Sequence, residues 1–503
     1  TYEGRSFENQ LYSVIDFANH DFTTDQPGYA QGILDPNQII QSNSNLMSYM
    51  TRANYTFKDK YVFTATFRAD GSSKFQDQNQ WGYFPSFSGA WILSDEDFIQ
   101  SINSISNLKI RAGWGQIGNQ AVSPYQTLSG YGSNQYAQDG NGLALALFLQ
   151  NVANPSLKWE TTEQTNIGLD FGFFDNHLSG SLEFYSKNTN DLLQNADLPG
   201  SAGFSSILTN RGSLKSEGTE ISLNGVIIEK EDWKFEIGGN IAFSETTISS
   251  LGQSLQPIYI GDTEEMRSFY LGNRVGNRGE YNVFIEGEQV GLFYGFKTDG
   301  IYQVGDTFID GAQAGDTKFV DVNGDGKIDV ADRTIIGNPN PDFIYGANIN
   351  LSYKRFSLNA QFDGVYGNEI IATAFERLDT PVGDFNNITV AAYEQAWRPD
   401  APSNTYPRIG SNISGRGGPV DTMVQDGSYL RLNNLTIGYD LPYEKYVSKA
   451  QLYVACSNVF TLTDYRGYTP IVTSYMNNPN IIGVDNFNPP NSRTFTLGLT
   501  INF

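Results

Sequence analysis

Apolar and polar residues alternate with period two along most of this chain, in runs of about ten residues separated by turn-forming residues. In the clearest run Ile167, Leu169, Phe171 and Phe173 share one face, and Asn166, Gly168, Asp170 and Gly172 share the other. Asp175-Asn176 then forms a turn, and the next run sets Leu178, Leu182 and Phe184 against Ser179, Ser181 and Glu183. Similar pairs flank Lys58-Asp59, Lys230-Glu231-Asp232, Lys354-Arg355 and the segment after Pro442. The last run places Phe495, Leu497, Leu499, Ile501 and the terminal Phe503 on one face, with Thr494, Thr496, Gly498, Thr500 and Asn502 opposite. The pattern predicts a series of antiparallel hairpins.

Two architectures bury such strands: a soluble sandwich or propeller, and a transmembrane barrel whose apolar face meets lipid. Connections of a few residues alternate with long ones at 117–158, 245–341 and 367–423, as the two ends of an outer-membrane barrel require. Soluble domains rarely carry so many long loops. Asn240, Glu236, Asn350, Gln361 and Asp363 fall on polar faces and suit a wet lumen, while Phe57 with Tyr61, Phe173 with Phe174 and Trp233 with Phe235 mark strand ends where an interfacial girdle belongs. The expectation is an all-β, transmembrane antiparallel β-barrel of about thirteen strands with long extracellular loops. Residues 1–43 are expected to lie in an extracellular loop, and 44–503 to form the carboxyl-terminal part of the barrel. An odd, partial set of strands leaves two edges unpaired in lipid, so the remaining wall is expected from an amino-terminal half of the same barrel.

Composition removes other classes. No run of eighteen apolar residues exists to cross a bilayer as a helix, the longest candidate being Leu143–Leu149. A formal charge of -23 argues against nucleic acid, whose phosphates need a basic surface. One cysteine, Cys456, excludes an internal disulfide framework, and two distant histidines, His20 and His177, suggest no zinc site. No charged-then-apolar leader follows Thr1, so any export signal is expected upstream or already removed.

One motif has metal-binding chemistry: Asp321, Asn323, Asp325, Lys327, Asp329 and Asp332 stand at positions one, three, five, seven, nine and twelve of a loop with Gly326 at six. Calcium takes six to eight hard oxygens around such a bend, with the Lys327 carbonyl serving position seven. Asp332 replaces the usual glutamate at twelve, and a structural calcium clamp on the longest loop is expected. Loop aromatics Tyr131, Tyr136, Tyr259, Phe269, Tyr270 and Trp397 are candidates for stacking on a substrate. Asp95-Glu96-Asp97 and Glu264-Glu265 read as solvated surface, and Gly130-Tyr-Gly132 lacks the helix and third glycine of a phosphate loop. No nucleophile, histidine and acid constellation is present, so an enzyme is not expected.

The segments Trp81-Gly-Tyr-Phe-Pro-Ser-Phe-Ser-Gly-Ala-Trp91, Leu108-Lys-Ile-Arg-Ala-Gly-Trp114, Asn154-Pro-Ser-Leu-Lys-Trp-Glu160, Tyr429-Leu-Arg-Leu-Asn-Asn-Leu435, Trp397-Arg-Pro399 and Ser457-Asn-Val-Phe460 resemble the SusC/RagA-type TonB-linked outer-membrane transporters. That resemblance implies an outer-membrane barrel of about twenty-two strands in a Gram-negative bacterium, with a plug domain that this chain does not contain. It further implies a SusD-like surface lipoprotein as lid, coupling to the TonB complex through the plug, and active import of a glycan or peptide. A passive porin or a surface-binding barrel is the alternative.

Overall fold

The computed structural model describes residues 1–17, 30–138, 142–276, 278–380, 387–411, 418–442 and 449–502. Fourteen strands join one antiparallel sheet, each pairing with its neighbours in chain order. They are β1 (Tyr2–Phe17), β2 (Ala30–Phe57), β3 (Tyr61–Ser72), β4 (Trp81–Ile92), β5 (Ile105–Asn119), β6 (Glu160–Phe173) and β7 (Leu178–Asn190). After these come β8 (Ser213–Lys230), β9 (Trp233–Ser250), β10 (Phe343–Tyr353), β11 (Phe356–Tyr366), β12 (Tyr429–Asp440), β13 (Lys449–Thr463) and β14 (Thr494–Asn502).

Register turns the sequence alternation into two continuous faces. Ile110, Leu169, Leu182, Ile221, Ile241 and Tyr345 are successive cross-strand partners in one row. The adjacent row runs Lys109, Asp170, Ser181, Ser222, Asn240, Gly346, Asp363, Arg431. Among the described residues nothing covers the apolar face: Ile167 is 55% exposed and Leu497 73%. Left in water, such a face would forgo about 25 cal/mol for each Å² of apolar surface, so its natural contact is acyl chain.

The short turns gather at one end of the sheet. Lys58 and Asp59 both adopt left-handed φ, 54° and 55°, as a primed hairpin turn requires. Aromatic pairs ring the same end: Tyr61 stacks on Trp91 with centroids 6.1 Å apart, Phe57 lies 6.3 Å from Tyr61, and Phe173 lies 6.4 Å from Phe174. Trp233 meets Tyr353 across the strand pair at 4.1 Å, rather than Phe235 on its own strand. Glu96, in the turn after β4, departs from the expected solvated acid. Its carboxylate accepts hydrogen bonds from Tyr61 Oη (2.8 Å), Trp91 Nε1 (3.0 Å) and Lys60 Nζ (3.1 Å). These bonds, Tyr61 foremost, lower its pKa to about 2.

Within residues 1–43, expected as a loop, the described stretches Tyr2–Phe17 and 30–43 are strand. Tyr2–Phe17 pairs with the upper part of β2, from Tyr2 opposite Met47 to Phe17 opposite Ala30, as a ribbon rising from the long-loop end. Beyond the apolar band neither face of a ribbon has to be apolar, so backbone pairing there leaves no period-two signature. Among the described residues, no strand pairs with the outer edge of β2 below Ser48 or with the outer edge of β14. Phe503 and His20 lie outside the described residues.

The buried core sits in the loops. Between β9 and β10, segments Phe269–Leu271, Asn282–Ile285, Leu292–Phe296 and Arg333–Gly337 form a four-stranded sheet. The loop after β11 supplies Glu369–Ala372 and Val424–Asp426, and the loop after β13 adds Val484–Asp485, parallel to the first of these. Phe293, Phe296, Ile371, Met423 and Val484 from the three loops share one cluster. Each such side chain, fully buried, contributes about 1.5–3 kcal/mol.

Two outcomes are expected. Ile167→Arg should destabilise the full-length protein in lipid vesicles by about 2–4 kcal/mol, as for a mid-bilayer charge on a barrel's lipid face. Ser181→Arg, on the polar face, should cost far less in the same denaturant titration. Carboxyl-labelled Glu96 should titrate with an NMR midpoint near pH 2 rather than 4.5, moving upward in Tyr61→Phe. Because the folded pKa is depressed, its hold on the girdle is complete above pH 4.5 and disappears as pH falls through about 2.

Candidate functional site

A cavity of about 1340 Å³ lies between the loop body and the polar face of the wall. Ala242, Ser244 and Thr246 of β9 and Ile344 of β10 form part of its lining, opposite Phe269, Tyr270 and Phe284 of the loop body. Tyr270 stacks on Phe284, centroids 4.7 Å apart and planes 6° from parallel. Burial pushes the Tyr270 hydroxyl up to about 12, so it stays protonated.

The sequence candidates divide. Phe269 and Tyr270 come together in this cavity. Tyr259 is half-buried on the hairpin Gln256–Ile260/Thr263–Arg267, and its carbonyl accepts a hydrogen bond from Thr334 at 3.3 Å. Tyr131 is exposed on a separate hairpin, where Tyr136 pairs with Ala144; the Tyr136 side chain lies outside the described residues. Trp397, a stacking candidate for which loop packing is the other reading, has a buried indole that donates to Gln303 Oε1 at 2.9 Å. A Cβ on Gly315 would come within 2.4 Å of that indole, so Trp397 is a packing residue between two loops. Phe284, Gln194 and Asn480 also line the cavity and escaped notice. They come from different loops and carry no local pattern.

Several sequence motifs prove to be fasteners between loop and wall. In Asn154-Pro-Ser-Leu-Lys-Trp-Glu160, Leu157 is fully buried and Trp159 donates to the Gln80 carbonyl at 3.0 Å. Asn154 Nδ2 donates to Leu208 O at 2.8 Å, and Glu160 accepts from the Leu193 amide at 3.2 Å, so the run ties the loop after β7 to the wall. Gly118 leaves room for Phe84, whose ring would stand 2.0 Å from a Cβ there. Within Leu108-Lys-Ile-Arg111, Lys109 reaches Asp170 at 2.7 Å, while Arg111 spans Asp170 at 3.3 Å and Glu183 at 2.6 Å. Arg431 of β12 grips Asp363 of β11 at 2.9 Å. The polar face is therefore a wall of cross-linked charge, legible only through register. His177 is the turn residue expected, its Nδ1 2.6 Å from the Phe174 carbonyl, and Cys456 is buried within β13.

The acidic loop folds around backbone amides. Asp321 accepts from Gly324 N (2.8 Å) and Gly326 N (2.7 Å), and Asp325 from Lys327 N (2.8 Å). Asp329 accepts from Ala331 N at 2.8 Å. Asp332 is fully buried and accepts from Val322 N (2.9 Å) and Asp329 N (2.8 Å). Gly324 and Gly326 take φ of 74° and 80°, which supply the bend. Ile328 enters the main loop cluster beside Phe319. Among the described residues no three acidic, histidine or cysteine side chains converge on one point as metal ligands.

A family model described as TonB dependent receptor-like, beta-barrel matches residues 2–459. The chain is 36% identical over 483 residues to the TonB-dependent receptor P3 of Formosa agariphila, covering 92% of this chain and 46% of that protein. It is 30% identical over 476 residues to the TonB-dependent receptor SusC of Bacteroides thetaiotaomicron, covering 92% and 44%. The fold also overlays on a solved structure of the RagAB peptide transporter with a TM-score of 0.82 at 24% identity, covering 100% of this chain and 52% of that one. The chain thus spans about half the length of the curated relatives it matches.

Proposed function

The chain belongs to the TonB-dependent receptor β-barrel family of the Gram-negative outer membrane, and from that premise we propose that it forms the wall and loops of an active importer for a glycan or peptide nutrient. The supporting observation is the cored loop body set against the polar face, enclosing a cavity at the long-loop end. A passive pore would keep that end open. In this reading the amino-terminal half of the barrel and a plug complete the wall, the TonB complex acts through the plug, and a SusD-like lipoprotein closes over the loops. The barrel's outer face rests on outer-membrane lipid, and the chain performs no catalysis.

Calcium belongs to the same reading. The donor chemistry fits: Asp321, Asn323, Asp325, Asp329 and Asp332 offer hard oxygens, the Lys327 carbonyl adds another, and Gly326 makes the bend. A bound ion would neutralise carboxylates that otherwise repel one another and would stiffen the loop around the anchor at Ile328.

Uptake of a bound nutrient should stop in a TonB-deletion strain while the barrel and lipoprotein still co-purify; uptake that persists would establish the porin instead. For the ion, chelator should raise protease sensitivity within 321–332, and Asp325→Ala should reproduce that state with calcium present. Equal cleavage with and without chelator would remove calcium from the account.

A further inference from the structure

We infer that the cavity between loop body and wall takes an uncharged, hydroxyl-rich oligosaccharide and turns away polyanionic glycans. This rests on the import reading and narrows it to a substrate class.

The first observation is charge. Among the described residues that line the cavity there is no lysine, arginine or histidine, and the acids are Glu160 and Glu280. Glu280 has Arg274 at 3.8 Å and Arg333 at 3.9 Å as counter-charges, whereas Glu160 is held only by the Leu193 amide and Asn119 Nδ2, each at 3.2 Å. A sulfate or uronate brought beside Glu160 would meet a carboxylate that no cation pairs among the described residues, and would be repelled. A neutral sugar brings no charge to compensate.

The second observation is the type of polar group. Gln194, Asn195, Gln253, Gln256 and Asn480 line the space with carboxamides, and among the described residues these side chains make no hydrogen bond within the protein. A carboxamide both donates and accepts, as a sugar hydroxyl does, so the two match in either orientation. Acceptor-only anions would use half of that capacity. Phe269 and Tyr270 add apolar surface beside these amides, suited to the C–H faces of a pyranose ring. At about 1340 Å³ the space exceeds the ~300–1,000 Å³ typical of small-molecule pockets, which favours an oligomer over a single sugar.

The test uses the full-length transporter, immobilised in detergent. It is offered three pools at equal mass: neutral oligosaccharides from mixed plant and algal polysaccharides, the uronate- and sulfate-bearing fraction of the same hydrolysate, and tryptic peptides. Mass spectrometry of the eluate should show neutral hexose or pentose oligomers. Gln194→Ala with Gln256→Ala, at exposed or half-exposed positions that leave the loop core intact, should weaken their retention about tenfold, the loss of one or two hydrogen bonds. Gln194→Lys should admit the acidic fraction. Retention of acidic glycans or peptides in preference to neutral ones, or of nothing from any pool, would overturn the inference. TonB-dependent uptake of an acidic glycan would refute this substrate class and leave import standing; TonB-independent uptake would refute import itself.

Discussion

Hydrocarbon offers a peptide group no hydrogen-bond partner, and that constraint organises the whole chain. Each strand in contact with lipid must satisfy its backbone against a neighbour, so the sheet runs in chain order from β1 to β14 without a crossover. The same constraint selects side chains. A row such as Ile110, Leu169, Leu182, Ile221 and Ile241 faces outward, and the next row, Lys109, Asp170, Ser181, Ser222 and Asn240, faces solvent. Ion pairs on the second row, such as Lys109 with Asp170, knit three strands together at a place where a soluble protein would have packed apolar residues.

A wall built this way has no interior, since one face meets lipid and the other meets water. Any cohesion at its long-loop end must come from the loops themselves. The loops after β9, β11 and β13 accordingly bring Phe293, Phe296, Ile371, Met423 and Val484 into a core of their own, and they register on each other through the parallel pairing of Ile371 with Val484. Fasteners hold this body and its neighbours to the wall. Asn154, Leu157, Trp159 and Glu160 bridge two loops to the rim within seven residues, so a short recognisable motif marks a junction between loop and wall.

The distinction matters for how the cavity arises. Its aromatic pair, Tyr270 and Phe284, is positioned by strand pairing inside the loop body, while its floor comes from Ser244 and Thr246 of β9 and the apolar Phe343 and Ile344 of β10. Neither side would make a site alone. The acidic loop follows the same logic: its carboxylates order the backbone from within, and Ile328 fixes it to the core from without.

The sequence by itself determined the strands from β2 to β14, the face each side chain takes, the girdle at the short turns and the division into short and long connections. Those features follow from one local rule, alternation against lipid, which leaves its period in every run. It missed β1, because a ribbon clear of the bilayer has no apolar face to declare itself, it misjudged Glu96, and it left Trp397 undecided between stacking and packing, since their partners Tyr61 and Gln303 are 35 and 94 residues away. Only the tertiary structure decided which loop aromatics meet, that the core lies in the loops, and that carboxamides from separate loops line one cavity. Loop packing depends on contacts between segments far apart in the chain, and such contacts have no period along it.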